Sequence, residues 1–447
     1  MYDITIIGSG VSSIFLAYTL AKSDQKILIL EKGKSLENRN CPLDRGETCD
    51  CKVCGKFFGF AGLGKSEGKF NYSSDFGGEL DQKIGRENLL RLMDEVDDIL
   101  CSFGGDSVGK YSTMNKQLAM KAAASNLHML TTEVRHLGTS LSTKIFQEMY
   151  EVLSSKVEIR FEVDVNEIKK DLRSFTLFTN QGIIQSQKVV IATGRSGTDW
   201  LKTQCSSLGV KQGKTRLDLG IRVEMKEEQL RTILKDTFET KLSYAHGEII
   251  STTYCMNPQG RIIRKFQEGL VMPDGQNFRE QENGTTNLNF TFFTPTYFST
   301  LKEANNYAKE VIGNINQGSD RIVVQRLEDL SNGKATTIEK MLNNRVQPTL
   351  KADVGDLTKE VPPLYIQILQ EFLNYLEEFI GEEIDEDTLL YGMDGKFYSP
   401  IIETDENFQT SIQGLYVIGD CSGVTHSLSQ AAASGIYVGK NLTKLSK

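Results

Sequence analysis

The sequence is short of several things, and each shortage excludes something. No run of about 18 apolar residues occurs in its 447 residues, so no membrane-spanning helix is expected. The N-terminal stretch MYDITIIGSG has no positively charged region and no cleavage site, so no signal peptide is read there. A cytoplasmic location is therefore the expectation, with thiols kept reduced, and disulfide stapling is set aside as a use for the eight cysteines. Positive charge is not in excess: 51 basic residues face 59 acidic ones, for a net charge of −8. Nucleic-acid binding draws most of its free energy from phosphate neutralisation, so this balance speaks against it. There is no internal repeat and no low-complexity tract. Tryptophan occurs once, at Trp200, which reads as a packing residue rather than a stacking platform. Histidine occurs four times, at His128, His136, His246 and His426, which narrows the search for acid–base groups. What is left is the composition of an ordinary soluble protein, with a length that calls for two or three domains at roughly 100–200 residues each.

What is present begins at residue 2. YDITII is β-branched and apolar and reads as a buried strand. Gly8-Ser9-Gly10-Val11-Ser12-Ser13 follows at once, and then Ile14, Ala17, Tyr18 and Ala21 recur at helical spacing. KILIL (26–30) is a second buried strand, ended by Glu31 and Lys32. Gly8 permits a tight turn, Gly10 lets the backbone approach a pyrophosphate, and the helix start at Val11 and Ser12 offers N–H groups and a positive dipole end. Ser13 stands where the fingerprint has its third glycine and is small enough for helix–sheet packing. Glu31, 23 residues after Gly8, suits ribose hydroxyls and repels a 2′-phosphate.

Two distant segments extend the pattern. KVVIATGRSG (188–197) reads as a strand ending at Ala192, followed by Thr193-Gly194 in a turn. GLYVIGDCSGVTHSLSQAAASGIYVGKNL (414–442) reads as a strand ending in Gly419-Asp420, followed by a small-residue helix from Ser427 or Leu428. In order and spacing, the three segments together resemble the glutathione-reductase-type superfamily of FAD enzymes. The resemblance implies that FAD is the cofactor. It implies that Asp420 binds the ribityl or pyrophosphate part, and that the helix starting near Ser427 aims its N-terminus at the flavin N1–O2 edge. A helix N-terminus there would stabilise the negative charge that reduction brings to N1. A narrower resemblance covers nearly the whole chain. CPLDRGETCDCKVCGKFFGFAGLGKSEGKFNYSSDFGGEL, RHLGTSL, IATGRSG, YCMNPQGRIIR and LLYGMDGKFYSP are similar to a bacterial family of FAD-dependent dehydrogenases of unknown substrate. The chain departs from that family at Asn257, where a second cysteine is usual, and at 393–397, so the resemblance implies fold and cofactor rather than reaction.

The expected fold is α/β: a discontinuous Rossmann-like FAD-binding domain with a β-meander, plus an inserted α+β substrate domain with an antiparallel sheet. The first part of the FAD domain is read as 1–215, the substrate domain as 216–390 and the returning part as 391–447. Residues 41–84 are a Cys/Gly-rich insertion. Residues 85–104 read as an amphipathic helix with Leu89, Leu92, Met93, Val96 and Ile99 on one face. The meander is read as VEIRFEV, FTLFTN and a strand after Gln181-Gly182. LGIRVEM, IISTTYCM, RIIRKF and LNFTFF suggest the antiparallel sheet, with helices near 300–314 and 362–380. There is no second G-x-G-x-x-G, so no separate NAD(P) domain is expected. The electron donor is then a small molecule, a protein, or NAD(P)H bound without a fingerprint domain of its own.

Cys41, Cys49, Cys51 and Cys54 fall within 14 residues, as C-x7-C-x-C-x2-C. Three uses compete. Four thiolates can close a tetrahedral metal or iron–sulfur site. Cys51 and Cys54 have the C-x-x-C spacing that lowers a thiol pKa and suits a redox pair. The third reading is of loop thiols with no chemistry, and the expectation here is no metal. Among catalytic candidates, His426 lies between Asp420 and the helix start, where it suits a hydrogen bond to the flavin O2 or a general acid, against a structural role. Tyr254 and Cys255, before the turn at Asn257-Pro258-Gln259-Gly260, are candidates for the substrate side. Arg195 is read as a phosphate or acidic-group ligand, or as half of a structural salt bridge. The resulting expectation is an FAD-dependent oxidoreductase passing hydride through flavin N5 to or from an unidentified small molecule. Two alternatives stand beside it: a flavin-dependent enzyme acting on an RNA base, and a non-catalytic FAD-binding sensor.

Overall fold

The structure is a computed structural model that describes residues 1–40, 55, 58–65, 68–235, 240–276 and 284–444, apart from the side chain of Cys255. The four clustered cysteines lie outside the described residues. The chain divides into two units. One comprises 1–112, 132–213 and 399–447, and the other 113–131 and 214–398.

The first unit is built on strands β1 (Tyr2–Ile7), β2 (Ile27–Leu30), β3 (Glu158–Arg160), β4 (Val165–Lys170), β5 (Phe175–Thr179), β6 (Gly182–Ile191) and β7 (Leu415–Val417). Its helices that matter here are α1 (Val11–Leu20), α2 (Thr198–Leu208) and α3 (Leu428–Lys444). β3, β2, β1 and the second half of β6 run parallel in that order, and β7 joins β6 in parallel. The first half of β6 turns back antiparallel on β5, and β5 on β4. This is a Rossmann-like sheet with an antiparallel meander. A parallel sheet is covered on both faces, which is why β1 and β2 are apolar throughout instead of alternating.

One part of the expected meander is corrected. VEIRFEV does not begin it; its residues Glu158–Arg160 form β3, the outer parallel strand beside β2. The meander begins at VNEIKK, a strand that buries only Val165 and Ile168 and shifts register between Val165 and Glu167. That shift breaks the period-2 alternation by which a strand is recognised.

α1 and α3 cross where their residues are small. A Cβ on Gly435 would collide with the Ser12 carbonyl, and one on Gly439 with Thr19. Ser13 is fully buried, as its size allows. The amphipathic segment forms a helix over Arg86–Ser102 that buries Leu89, Leu92, Met93, Val96 and Leu100, with Ile99 only partly covered. A small antiparallel sheet of Lys69–Tyr72, Lys110–Ser112 and Glu133–His136 completes the unit.

The second unit is an eight-stranded sheet, antiparallel except at one edge, ordered 353–354, 323–326, 389–397, 215–226, 287–298, 249–258, 241–246 and 128–130. Its long central strand, Thr215–Lys226, turns Leu217, Leu219, Ile221, Val223 and Met225 into a core shared with the helices Leu301–Asn316 and Pro363–Ile380. RIIRKF is not in this sheet but in a separate hairpin, 261–267 with 270–276. Apart from residues 214–215, the division differs from the sequence reading at two places. Residues 113–131 belong with the second unit because His128–Leu130 pair with Lys241–Ser243. Residues 391–398 belong there because 389–397 pair with 217–224.

Candidate functional site

A cleft of about 480 Å³ runs through the first unit, lined entirely by that unit's residues. Its middle is the glycine turn. Gly8 ends β1 with φ +98°, and a Cβ there would lie 2.5 Å from the Ala192 carbonyl oxygen, so this position tolerates only glycine. Gly10 precedes α1, and a Cβ on it would meet nothing within 4 Å. Among the described residues no side chain caps α1, and its first turn holds no acidic residue. The helix therefore presents uncapped N–H groups beside open space, which is the arrangement an anion needs. The loop after the cysteine segment covers the turn: Ala61 N–H donates to Ser9 O at 2.9 Å, and Gly10 and Ala61 form a bridge. Buried Arg39 holds that loop by donating to Gly55 O, Phe60 O and Gly62 O at 3.1, 2.6 and 2.8 Å. No sequence signal marked Arg39.

At one end lies Glu31, which is buried. Its carboxylate accepts four hydrogen bonds: Ser9 N–H at 2.8 Å and Ser9 Oγ at 2.7 Å on one oxygen, Gly33 N–H at 2.7 Å and Gly59 N–H at 3.0 Å on the other. Glu31 thus ties the glycine turn to the chain after β2 and to the covering loop, a scaffold role that the ribose assignment alone did not predict. Lys32 pairs with Asp164 at 2.8 Å, both side chains about two-fifths exposed. Trp200, on α2, lines the cleft, and its indole N–H is buried without an acceptor among the described residues.

At the other end, Ala192, Thr193 and Gly194 close β6, and Gly419 and Asp420 follow β7. Gly419 has φ +68°, and a Cβ there would lie 2.5 Å from Ser12 Oγ, so this chain segment is seated directly on α1. Asp420 accepts from Thr425 Oγ1 at 2.9 Å and lies 3.3 Å from Arg195 Nε. Burial pushes its carboxyl up to about 6, against the pull of Arg195 and Thr425. The ion-pair reading of Arg195 is thus observed, and Arg195 also lines the cleft. Ser427 Oγ caps α3 by accepting from Gln430 N–H at 3.2 Å. His426, Ser427 and Leu428 line this end.

The glycine-rich segment after the cysteines is stitched to the start of α3. His426 N–H donates to Gly77 O at 2.6 Å and Glu79 N–H to Val424 O at 2.8 Å, and Gly78 bridges to Thr425. Fully buried Gln430 donates to Phe76 O at 2.9 Å and accepts from Leu80 N–H at 3.3 Å. Lys69 and Asn71 reach the cleft because their strand alternates, burying Phe70 and Tyr72. The sequence reading missed Lys69, Asn71 and Gln430, although the K-F-N-Y alternation was there to find the first two.

Tyr254 and Cys255 stand elsewhere, on the strand Ile249–Pro258 of the second unit. The Tyr254 ring is contacted edge-on by Phe293 at 5.6 Å and by the ammonium groups of Lys241 at 4.2 Å and Lys396 at 4.3 Å. His128 and His136 are exposed, and His246 pairs with Glu371 at 2.7 Å. Among the described residues, no three His, Cys, Asp or Glu side chains converge as a metal site.

No model of a known protein family matches the chain. It is 22% identical over 464 aligned positions to an uncharacterized protein of Clostridium beijerinckii, covering 98% of this chain and 80% of that one. Among solved structures it is similar to glycine oxidase from Bacillus cereus, at 15% identity and TM-score 0.37, over 100% of this chain and 96% of that one. It is also similar to L-proline dehydrogenase from P. horikoshii, at 12% identity and TM-score 0.36, over 99% and 93%. At these scores the likeness carries no activity across.

Proposed function

We propose that this chain is an FAD-dependent oxidoreductase acting on a small molecule that its sequence does not identify. The observation that carries the reading is the uncapped N-terminus of α1 beside open space at Gly10, in one cleft with Glu31 at one end and Asp420 with the start of α3 at the other. A dinucleotide needs that sequence of features: a ribose acceptor, a pyrophosphate cradle, and a second set of polar groups past the phosphates. The residues present fit the group. Gly8, Gly10, Val11 and Ser12 would hold the pyrophosphate. Glu31, with Ser9, would meet the adenosine ribose, and Asp420 the ribityl chain. The Trp200 N–H, without an acceptor among the described residues, offers a donor to a ligand acceptor in the same cleft.

FAD, when bound, supplies hydride transfer at its N5. The chain's own residues do the rest. The capped start of α3 sets a positive dipole end toward the far end of the cleft, where negative charge is favoured. His426, held through its backbone by Gly77, is the proposed hydrogen-bond donor or general acid there. The second unit is assigned to recognition of the organic partner.

The test is the visible spectrum of protein purified without oxygen, followed by denaturation and chromatography of the released cofactor. Flavin bands with FAD released support the reading, and Glu31→Ala and Asp420→Ala should each lower flavin occupancy. A colourless protein that binds NAD instead would overturn it.

A further inference from the structure

The cleft is even in charge before a ligand enters it. Its lining carries three cations, Lys32, Lys69 and Arg195, and three carboxylates, Glu31, Asp164 and Asp420. A dinucleotide pyrophosphate brings two negative charges, and the positive end of α1 offsets only about half of one. Glu31 is held by four donors and Asp164 by Lys32. The pair with freedom to change is Asp420 and Arg195.

Both stand beside the glycine turn. A Cβ on Gly8 would lie 3.2 Å from Thr193 Cα, two residues before Arg195, and Gly419, just before Asp420, is seated on Ser12 in the first turn of α1. The Arg195 backbone is fixed, its carbonyl accepting from Thr198 Oγ1 at 2.8 Å. Its side chain is 54% exposed, and among the described residues Asp420 is the one side chain its guanidinium meets. That approach, 3.3 Å through Nε, is longer than the roughly 2.7–2.9 Å of a strong charge-assisted bond. Asp420 is only 15% exposed, and burial holds its carboxyl up at about 6 even with Arg195 beside it. Withdrawing Arg195 would raise it further. The other titratable or charged groups around Asp420 are Cys421 and His426 on its own segment, Glu79 on the chain stitched to Val424, and Lys69 in the cleft lining. Cys421 is pushed up to about 11 and keeps its proton. α1 and the first three turns of α3 carry no charged side chain.

We infer that Arg195 is a movable clamp: when a dinucleotide binds, its guanidinium passes from Asp420 to the pyrophosphate, and Asp420 takes up a proton from solvent in exchange. The proton offsets one of the two charges that arrive, and the N-terminus of α1 offsets part of the other. A guanidinium suits the task because its fork of donors matches phosphate oxygens. The protonated carboxyl, which both donates and accepts, is then free for a ligand hydroxyl. The inference rests on the proposal that the cleft holds a dinucleotide, and it does not require that the dinucleotide be FAD.

The test titrates FAD into the flavin-stripped full chain at pH 6, 7 and 8 and constant ionic strength. Calorimetry at pH 7 in two buffers of unlike ionisation enthalpy counts the protons taken up. FAD itself has no group that titrates in this range. Affinity should fall at least tenfold from pH 6 to pH 8, because the free carboxyl ionises near 6 and the bound one higher. About half a proton or more should be taken up per FAD at pH 7. Asp420→Asn, which cannot ionise, should abolish both the slope and the uptake. Arg195→Gln should lose at least tenfold in affinity at pH 6 and take up almost no proton, whereas Arg195→Lys should bind more weakly and keep the uptake. A purely structural Arg195 would change affinity and leave the proton count alone. The inference is overturned, with the flavin reading intact, if FAD binds without slope or uptake, if the uptake survives in Asp420→Asn, or if Arg195→Gln binds and takes up protons as the parent does. Should Asp420→Asn fail to fold by circular dichroism, the proton count of Arg195→Gln decides. NAD bound in place of FAD with the same uptake overturns the flavin reading and supports the clamp. Binding of neither dinucleotide overturns both.

Discussion

The glycine-turn cleft and the polar face of the second unit's sheet are built from opposite materials. The cleft is made of backbone: uncapped N–H groups at α1, amide donors from Gly33 and Gly59 to Glu31, and glycines pressed against Ala192 and Ser12. The sheet face is made of long charged side chains, locked along one strand as Arg216–Asp218 are or between strands far apart in sequence as Arg222–Asp394 are. A backbone site is cheap in charge and strict about side-chain size. A side-chain site tolerates size changes better, and it is costly when one partner of a buried pair is lost.

The sharpest break of this comparison is Asp394→Ala. Asp394 is buried and accepts from Thr291 at 2.7 Å and Lys265 at 2.8 Å beside Arg222, itself 1% exposed. Removing the carboxylate leaves the buried guanidinium only the part-exposed Asp274, at 3.6 Å, as a counter-charge, a loss worth about 3–5 kcal/mol. Urea denaturation should show a loss of that size. A loss under about 1 kcal/mol would mean that water reaches Arg222.

Glu31→Ala should come next, at about 3 kcal/mol, because several charge-assisted hydrogen bonds go at once and leave Ser9, Gly33 and Gly59 donors in a buried place. The measurement is a melt of protein stripped of any ligand. An unchanged melt would show that Glu31 serves only a ligand and not the scaffold.

These two residues also show what was legible. Glu31 could be read because its meaning is local: a glycine turn, a helix and a strand end within about 30 residues define a dinucleotide site. Gly8 and Gly10 were picked out for the same reason and Asp420 through the family resemblance, and the structure brings all three to one cleft. The Arg216–Asp218–Tyr398 lock and the Lys241–Tyr254–Lys396 cluster were not found. Arg216 and Asp218 share one strand, but Tyr398, Lys241, Tyr254 and Lys396 come from distant parts of the chain, and only strand pairing brings them near one another. Tyr254 was picked out, but the lysines beside its ring are 13 residues before and 142 residues after it. β4 was missed for a smaller reason of the same kind, since the register shift after Val165 is invisible without its partner strand.

A gentler probe of the cleft is pH. Asp420 holds its proton up to about 6 in the folded chain, above its ordinary value of 3.8. A carboxyl raised on folding favours the folded state while it is protonated in both states, and the advantage disappears as pH rises through the folded value. The ligand-free chain should therefore lose stability from about pH 4 to pH 6 relative to Asp420→Asn, by up to about 3 kcal/mol. Denaturation of the pair across that range reads the difference, and parallel curves would mean that Arg195 neutralises Asp420 completely.

The smallest effect should be Lys32→Ala. Lys32 is the one member of the assigned cofactor set whose contact in the structure is an exposed ion pair, with Asp164. Exposed pairs contribute about 0–1 kcal/mol and weaken with salt. The variant should melt within about 1 kcal/mol of the parent, with the difference gone at high salt. Its flavin occupancy should also stay close to the parent's, because Glu31 and the turn make the cleft without it. A clear loss of flavin in Lys32→Ala would show that a long side chain matters at the adenosine end after all. The contrast between a backbone cleft and a side-chain face would then hold only for the glycine turn.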